Sequence, residues 1–363
     1  MNDRSDILSR VRPHIRAMKP YVVKEVGSGV ICMDKNENPY ELPDELKRSI
    51  LDAAMAKDWG RYPPVVAFEF HRTIASYAGW KPEGVVAGNG SDELILTVLM
   101  TFLAPGSRLV IPSPTFAMYR HVGRLLEARV EEVLLNEDFS YNPDAIERAF
   151  LAGGDLLIVC SPNNPTGCLF PLDRLERILK GTSSPVIVDE AYYEFSNVTA
   201  LKFLDRYPNL VILRTFSKAF SLAGQRIGYA LTSPELATEI LKAKIPYNMD
   251  VFSTVAATKL LENPSVIDRT IQSILDERDR LSAAMRKIEG ITVYPTASNF
   301  ILFRTPYEST AIRDDILNDG ILVRDISAHP PLKKTLRVTA SRPSENDLFL
   351  KSLIRVMNER GRG

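Results

Sequence analysis

Cysteine and histidine are scarce in this chain, and their scarcity excludes some classes of protein. The 363 residues include three cysteines and four histidines. An odd number of cysteines without metal-ligand spacing argues against a disulfide framework and favours a reducing compartment, so we expect a cytoplasmic protein. The histidines are scattered along the chain, so the sequence predicts no metal site.

Charge imbalance and long apolar runs are also missing. The chain carries 45 basic and 45 acidic side chains, and its formal net charge is zero. Nucleic-acid-binding proteins usually have a basic excess or stripe, so nucleic acid is not an expected partner. No apolar run approaches the ~18 to 20 residues of a membrane span, and the N-terminus lacks the apolar core of a signal peptide. We therefore expect no membrane partner.

What the chain does contain is a regular alternation of strand-like and helix-like segments. The clearest apolar strands are 85–87, 109–111, 156–160 and 186–188. Such alternation predicts an α/β fold, with a mostly parallel mixed sheet flanked by helices. After residue 241 the pattern changes to that of a smaller α+β domain. We predict a large domain over 31–243 and a small domain in which an N-terminal arm, 1–30, joins 244–363.

Two local expectations accompany this outline. Proline and glycine in the first 30 residues predict an irregular arm. Ser91 stands before the apolar helix 94–103, and serine is a preferred N-cap residue, so we expect Ser91 to cap that helix.

Residues 213–228 carry the strongest chemical signal. Lys218 follows an apolar strand at 210–213. A desolvated lysine loses its charge readily and can form an imine, whereas a surface lysine that caps a strand would have the same pattern. Hydroxyls and a guanidinium that suit a phosphate dianion lie close by in the sequence: Thr215, Ser217 and Arg226. This combination points to pyridoxal 5'-phosphate (PLP).

Other polar residues lie where predicted strands end, and ligands of α/β sheets bind at that edge. Asp189 ends an apolar strand and needs a cationic partner, either a protonated pyridine nitrogen or an arginine elsewhere in the chain. Asn164 projects from a turn that two prolines and a glycine make rigid. Tyr192 and Tyr193 could donate to a phenolate oxygen or belong to the core. Residues 90–92 open a helix, so they could seat a phosphate or simply cap the helix.

Taken together, these segments resemble the aspartate-aminotransferase family of fold type I PLP enzymes, and within it the histidinol-phosphate aminotransferase subfamily. The resemblance runs from about Tyr21 to the C-terminus. The matching segments are 35–40, 61–63, 88–95, 161–167, 189–192, 214–220 and 336–339. The chain departs from the family pattern at Pro64, in 327–331 and in 340–342, and none of these is a PLP position.

The resemblance implies a role for each matched residue. Lys218 would hold the cofactor and move a proton between cofactor and substrate, and Asp189 would keep the pyridine nitrogen protonated. Tyr192 and Asn164 would bind the phenolate oxygen, and Phe116 occupies the ring-stacking position. The residues implied to hold the cofactor phosphate are Gly90, Ser91, Asp92, Thr215, Ser217, Arg226 and Tyr62, the last from the neighbouring subunit of a homodimer.

The resemblance also implies the reaction. L-Histidinol phosphate and 2-oxoglutarate would give imidazole acetol phosphate and L-glutamate, a step in histidine biosynthesis. Arg337 would bind the α-carboxylate of glutamate. The other implied substrate contacts are Tyr21, Asn38, Asn164 and Arg324, although Arg324 alone could equally form a surface ion pair.

Three other functions are compatible with the pattern. Threonine-phosphate decarboxylase and a broad-specificity aromatic aminotransferase would share the lysine and the fold. A PLP-binding transcription regulator would need a DNA-binding domain, and we expect none because about 30 residues before the cofactor domain are too few for one.

Overall fold

The computed structural model describes residues 4–20 and 26–361. Its helices are α1 Arg4–Ser9, α2 Pro13–Ala17, α3 Asp44–Met55, α4 Phe68–Ala78, α5 Gly90–Phe102, α6 Ala117–Leu125, α7 Pro143–Leu151, α8 Leu172–Lys180, α9 Tyr193–Ser196, α10 Pro234–Ala243, α11 Val251–Leu261, α12 Ser265–Met285, α13 Ser309–Asn318 and α14 Pro343–Gly361. Its strands are β1 Ile31–Cys32, β2 Val85–Gly88, β3 Arg108–Ser113, β4 Arg129–Leu134, β5 Leu156–Cys160, β6 Val186–Asp189, β7 Leu210–Thr215, β8 Gly228–Leu231, β9 Thr292–Val293, β10 Phe300–Arg304, β11 Ile321–Leu322, β12 Arg324–Asp325 and β13 Thr335–Thr339.

A seven-stranded sheet forms the centre of the molecule, in the order β2-β8-β7-β6-β5-β3-β4. The five strands from β7 to β4 in that order run parallel, and β8 is antiparallel to both β2 and β7. Every residue of β5, β6 and β7 is buried, because helices cover both faces of the sheet. The predicted α/β fold with a mostly parallel mixed sheet is confirmed.

A second sheet lies in the C-terminal part of the chain. Its four antiparallel strands follow the order β12-β13-β10-β9, and helices α12 and α13 pack against it, as α14 does through Phe349 on Phe303. Its core contains Phe303, Leu336, Val338 and Phe349. Strand β1 pairs with β11, so residues 31–32 join this part. The predicted boundaries, with a large domain over 31–243, stay a prediction.

The N-terminal arm differs from the sequence-based expectation, because it contains the short helices α1 and α2. Helix α2 packs against α6, where His14 Nδ1 lies 3.6 Å from a carboxylate oxygen of Glu127. The arm thus gains order from a tertiary contact that local sequence does not reveal. No helix among the described residues is both long and apolar enough to cross a lipid bilayer.

The start of α5 also differs from the expectation. The N-cap is Asn89, and Ser91 lies inside the first turn. Gly90 adopts a φ of 82°, which a glycine tolerates, so the chain enters the helix before it reaches Ser91. The carboxylate of Glu93 accepts the N–H of Asn89 at 2.5 Å and secures this earlier start.

Candidate active site

A cavity of about 550 Å³ opens at the carboxyl edge of the central sheet. Strands β5, β6 and β7 end there, and the β12–β13 side of the second sheet closes it. Twelve residues that the sequence singled out line this cavity: Ser91, Asp92, Phe116, Asn164, Asp189, Tyr192, Thr215, Ser217, Lys218, Arg226, Arg324 and Arg337. The structure therefore gathers most of the predicted site in one place.

Lys218 follows β7 and reaches the cavity rather than the outer surface. Its Nζ donates a hydrogen bond to the Lys35 carbonyl oxygen at 2.8 Å. Burial, together with the nearby Arg337 cation, lowers the pKa of Lys218 to about 8. A lysine with this pKa exists partly as the free amine near neutral pH, which both a nucleophile and a proton carrier require.

Asp189 is the last residue of β6 and only 2% exposed. One of its carboxylate oxygens accepts the Tyr119 hydroxyl at 2.6 Å, and the other accepts the Ala191 N–H at 3.0 Å. Burial raises the pKa of Asp189 to about 6. No cation pairs with it among the described residues, since the buried Arg214 pairs with Glu190 instead. An arginine partner for Asp189 is thus excluded within the described chain. A cation on a bound ligand, such as a protonated pyridine nitrogen, would fit beside this carboxylate.

The two tyrosines after Asp189 have different surroundings. Tyr192 lines the cavity, and its hydroxyl oxygen accepts the side-chain amide of Asn36 at 2.8 Å. Tyr193 lies under the guanidinium of Arg214, 3.7 Å from the ring centroid. Tyr192 is therefore the tyrosine that can meet a ligand here.

The opposite end of the cavity has the geometry of a phosphate seat. Helix α5 begins there, so its first backbone N–H groups and its dipole favour an anion. The Arg226 guanidinium donates to Ser217 Oγ at 3.3 Å, and the Ser217 N–H donates to Thr215 Oγ1 at 3.1 Å. Hydroxyls, a guanidinium and a helix N-terminus thus converge on one point.

Two glycines allow these groups to approach each other. A Cβ on Gly90 would stand 2.6 Å from Arg226 Nη2, and a Cβ on Gly228 would stand 2.5 Å from the Ser91 backbone nitrogen. A side chain at either glycine would occupy space between the groups that form the phosphate seat. Together with an amine at Lys218 and a buried carboxylate at Asp189, this seat fits the phosphate, aldehyde and pyridine nitrogen of PLP.

Two arginines face the cavity from the second sheet. Arg324 on β12 and Arg337 on β13 are directly paired in register. Arg337 donates to the Asp34 carbonyl oxygen at 2.6 Å and to the side-chain oxygen of Asn164. Arg324 has no hydrogen-bond or ion-pair partner within residues 4–20 and 26–361. Its guanidinium is thus available to an anion in the cavity.

Among the described residues, the predicted site residues Asn38 and Tyr62 do not line this cavity. Asn38 is engaged elsewhere, because its amide donates to the Ala219 carbonyl oxygen at 2.8 Å and its oxygen accepts the Tyr40 N–H. Tyr62 is 82% exposed on the outside of the chain. Tyr21 lies outside the described residues.

The sequence reasoning missed two residues of the site, Asn36 and Tyr119. Tyr119 follows Phe116, the residue before α6, by three residues, and their ring centroids lie 5.6 Å apart, so closeness to the predicted stacking residue could have suggested it. Asn36 lies in a matched segment, but its contact with Tyr192 joins distant parts of the chain. Local sequence carries no signal for such a contact.

Comparison with known proteins identifies the family. The model of the aminotransferase class I and II family matches residues 28–353. The histidinol-phosphate aminotransferase of Chlorobaculum tepidum is 39% identical over 94% of this chain and 99% of its own length. That of Thermococcus kodakarensis is 40% identical over 94% of this chain and 97% of its own.

A solved structure has the same fold. The crystal structure of the Sinorhizobium meliloti histidinol-phosphate aminotransferase, in complex with pyridoxal-5'-phosphate, superposes with a TM-score of 0.87 at 23% identity. The match covers 97% of this chain and 98% of that one. The chain therefore belongs to the class I and II aminotransferase family, and its relatives at 39 and 40% identity are histidinol-phosphate aminotransferases.

Proposed function

We propose that this chain is a PLP-dependent transaminase that interconverts L-histidinol phosphate and 2-oxoglutarate with imidazole acetol phosphate and L-glutamate, in histidine biosynthesis. The names of its nearly full-length relatives support this activity. The observation that supports this substrate is the guanidinium of Arg324, which has no partner within residues 4–20 and 26–361 and lies beside Arg337 in the cavity that contains Lys218. Two adjacent guanidiniums suit a phosphate monoester dianion.

Bound PLP supplies an electron-accepting ring to this chemistry. Asp189 would bind the ring nitrogen and keep it protonated, because a buried carboxylate stabilises a cation beside it. Tyr192 and Asn164 would bind the phenolate oxygen, and Phe116 would stack on the ring. The groups that would hold the phosphate are the N–H groups of residues 90–92, Thr215, Ser217 and Arg226.

Lys218 would carry the proton in both half-reactions. As a free amine it would take the proton from the substrate Cα. As an ammonium group it would then deliver a proton to the cofactor. Its lowered pKa makes both forms accessible near neutral pH.

One cavity must accept two different substrates in turn. Glutamate has an α-carboxylate, which we assign to Arg337. Histidinol phosphate has no carboxylate, so we assign its phosphate to Arg324 together with Arg337, with the Tyr21 hydroxyl as a further donor. The predicted substrate role of Asn38 remains a prediction.

We also propose that the active enzyme is a homodimer in which Tyr62 reaches the phosphate of the neighbouring subunit's cofactor. Exposed apolar side chains are concentrated in two segments that contact each other, 51–68 and 245–252. Between these segments, Tyr62 stacks on Tyr247 and Trp59 contacts Phe252. A contiguous apolar surface of this kind favours association.

The three cysteines are free, and we propose a reducing cytoplasm as the location of the protein.

A panel of amino donors tests the reaction. With 2-oxoglutarate as acceptor, kcat/KM should be highest for histidinol phosphate and far lower for phenylalanine. Threonine phosphate without an acceptor should release no CO2. A preference for phenylalanine, or decarboxylation of threonine phosphate, would replace the proposed function with one of the two rival activities.

A further inference from the structure

A polar network joins the two sheets at a part of the cavity wall that the proposed mechanism does not use. Arg120, on α6, donates from Nη2 to a carboxylate oxygen of Glu132 and, over 3.0 Å, to His329 Nε2. The Ser113 hydroxyl donates to the same Glu132 oxygen at 2.6 Å. His329 belongs to the segment 327–331, which departs from the family pattern. The network therefore combines residues from β3, β4 and α6 with a loop after β12.

Arg120 can offer a further hydrogen bond from Nη1. It lines the cavity, and its side chain is 30% exposed. Its Nε is buried without a partner, and its Nη2 is held by Glu132 and His329. Nη1 has no partner in the part of the chain that the structure describes. Arg120 lies in α6, four residues after Phe116, and both residues line the cavity.

The charge of Arg120 is already balanced. Although burial alone would raise the pKa of Glu132, hydrogen bonds from Ser113 and the Arg120 cation bring it below its ordinary value. Glu132 is thus ionised near neutral pH and neutralises the guanidinium. Arg120 remains a cation, but the ion pair that it forms with Glu132 has no net charge, whereas Arg324 has no counter-ion among the described residues. An ion-paired guanidinium gains less from a second anion than an uncompensated one does, so its remaining N–H groups suit a neutral acceptor.

We propose that Arg120, held in place by Glu132 and His329, is a specificity-determining residue that donates a hydrogen bond to the imidazole nitrogen of the substrate. This inference rests on the proposed function. Histidinol phosphate branches at Cα into a phosphate arm and an imidazole arm. Once Lys218 faces Cα and Arg324 takes the phosphate, the imidazole arm still needs a partner. A neutral imidazole has one nitrogen that accepts a hydrogen bond.

The experiment compares Arg120→Gln with the wild-type holoenzyme on three ligands: histidinol phosphate, phenylalaninol phosphate and glutamate. Phenylalaninol phosphate keeps the phosphate arm and replaces imidazole with a benzene ring that accepts no such bond. Each is measured by kcat/KM, or by competitive inhibition where turnover is absent. We expect a loss of about tenfold to a hundredfold for histidinol phosphate and little change for the other two.

A second variant and a control complete the test. Arg120→Lys keeps a cation for Glu132 but lacks the second arm of the guanidinium, so it should give the same selective loss. Arg124→Gln changes an exposed arginine one turn further along α6 and should change none of the three values. Equal losses on all three ligands, losses on both phosphates but not glutamate, or no loss at all would each overturn the imidazole assignment. Wild-type activity with histidinol phosphate would meanwhile leave the proposed function standing.

Discussion

The charge state of each ionisable residue in the cavity depends on its burial and on the charged residues beside it. Arg337 is a cation in the same cavity as Lys218, so it disfavours the charged form of that lysine. Asp189 is buried without a cation, so it favours a ligand that brings one. These surroundings make the lysine a base and the aspartate a receptor for a protonated ring nitrogen.

The lowered pKa of Lys218 can be measured in the cofactor-free protein. Only the free amine reacts with an acylating reagent, so labelling of Lys218 should increase with pH about a midpoint near 8. Exposed lysines should show midpoints near ~10.4. Arg337→Met removes a nearby positive charge and should move the Lys218 midpoint upward. Peptide mass spectrometry measures the Lys218 midpoint in the wild type and in Arg337→Met. A wild-type Lys218 midpoint equal to that of exposed lysines would refute the lowered pKa.

The two cavity arginines should differ in their effects on the two substrates. Arg324→Ala should weaken histidinol phosphate by about tenfold to a hundredfold, because one charge-assisted contact to the phosphate is lost, and should affect glutamate far less. Arg337→Ala should damage both substrates. The values to compare are kcat/KM for each substrate in each variant. Equal losses for both substrates in Arg324→Ala would contradict the assignment of the phosphate.

At the scale of elements, the phosphate seat depends on how closely α5, β8 and Arg226 approach. Gly90→Ala should push the Arg226 guanidinium away, since a Cβ there would stand 2.6 Å from Nη2. Cofactor affinity should fall by about tenfold or more. Gly106→Ala is the matched control, because Gly106 has a φ of 87° with no atom within 4 Å of its would-be Cβ.

Both glycine variants should lose a similar stability, about 1–2 kcal/mol, because alanine is strained at either left-handed φ. Thermal unfolding measures that loss, and absorbance titration with PLP measures affinity. If Gly106→Ala lost cofactor affinity as strongly as Gly90→Ala, backbone strain rather than the displaced arginine would be the cause.

Elements with strong apolar runs could be predicted from sequence, and elements fixed by distant contacts could not. Strands β5, β6 and β7 begin as continuous apolar runs, and Asp189 ends β6 while Lys218 follows β7, as the sequence predicted. Strand β8 has four residues and starts at a glycine, and its antiparallel place between β2 and β7 comes from long-range pairing. Local pattern likewise missed α7 and the arm helices. For the same reason the sequence could not place Asn36 against Tyr192.

At the scale of the whole molecule, a shared active site predicts complementation between inactive subunits. Tyr62→Phe and Lys218→Ala should each be nearly inactive alone. Co-expression should restore about a quarter of wild-type activity, because half of randomly assorted dimers are hybrids and each has one intact site. A wild-type protein that is fully active as a monomer, in sedimentation and assay at the same concentration, would rule out the shared site.

The most direct test of the account follows the nitrogen atom itself. Purified enzyme with PLP is given ¹⁵N-amino-labelled histidinol phosphate and unlabelled 2-oxoglutarate, and the products are analysed by mass spectrometry. The account predicts ¹⁵N in glutamate and its loss from histidinol phosphate, with Lys218→Ala abolishing the transfer. Unlabelled glutamate in the wild-type reaction, or undiminished transfer in Lys218→Ala, would contradict it.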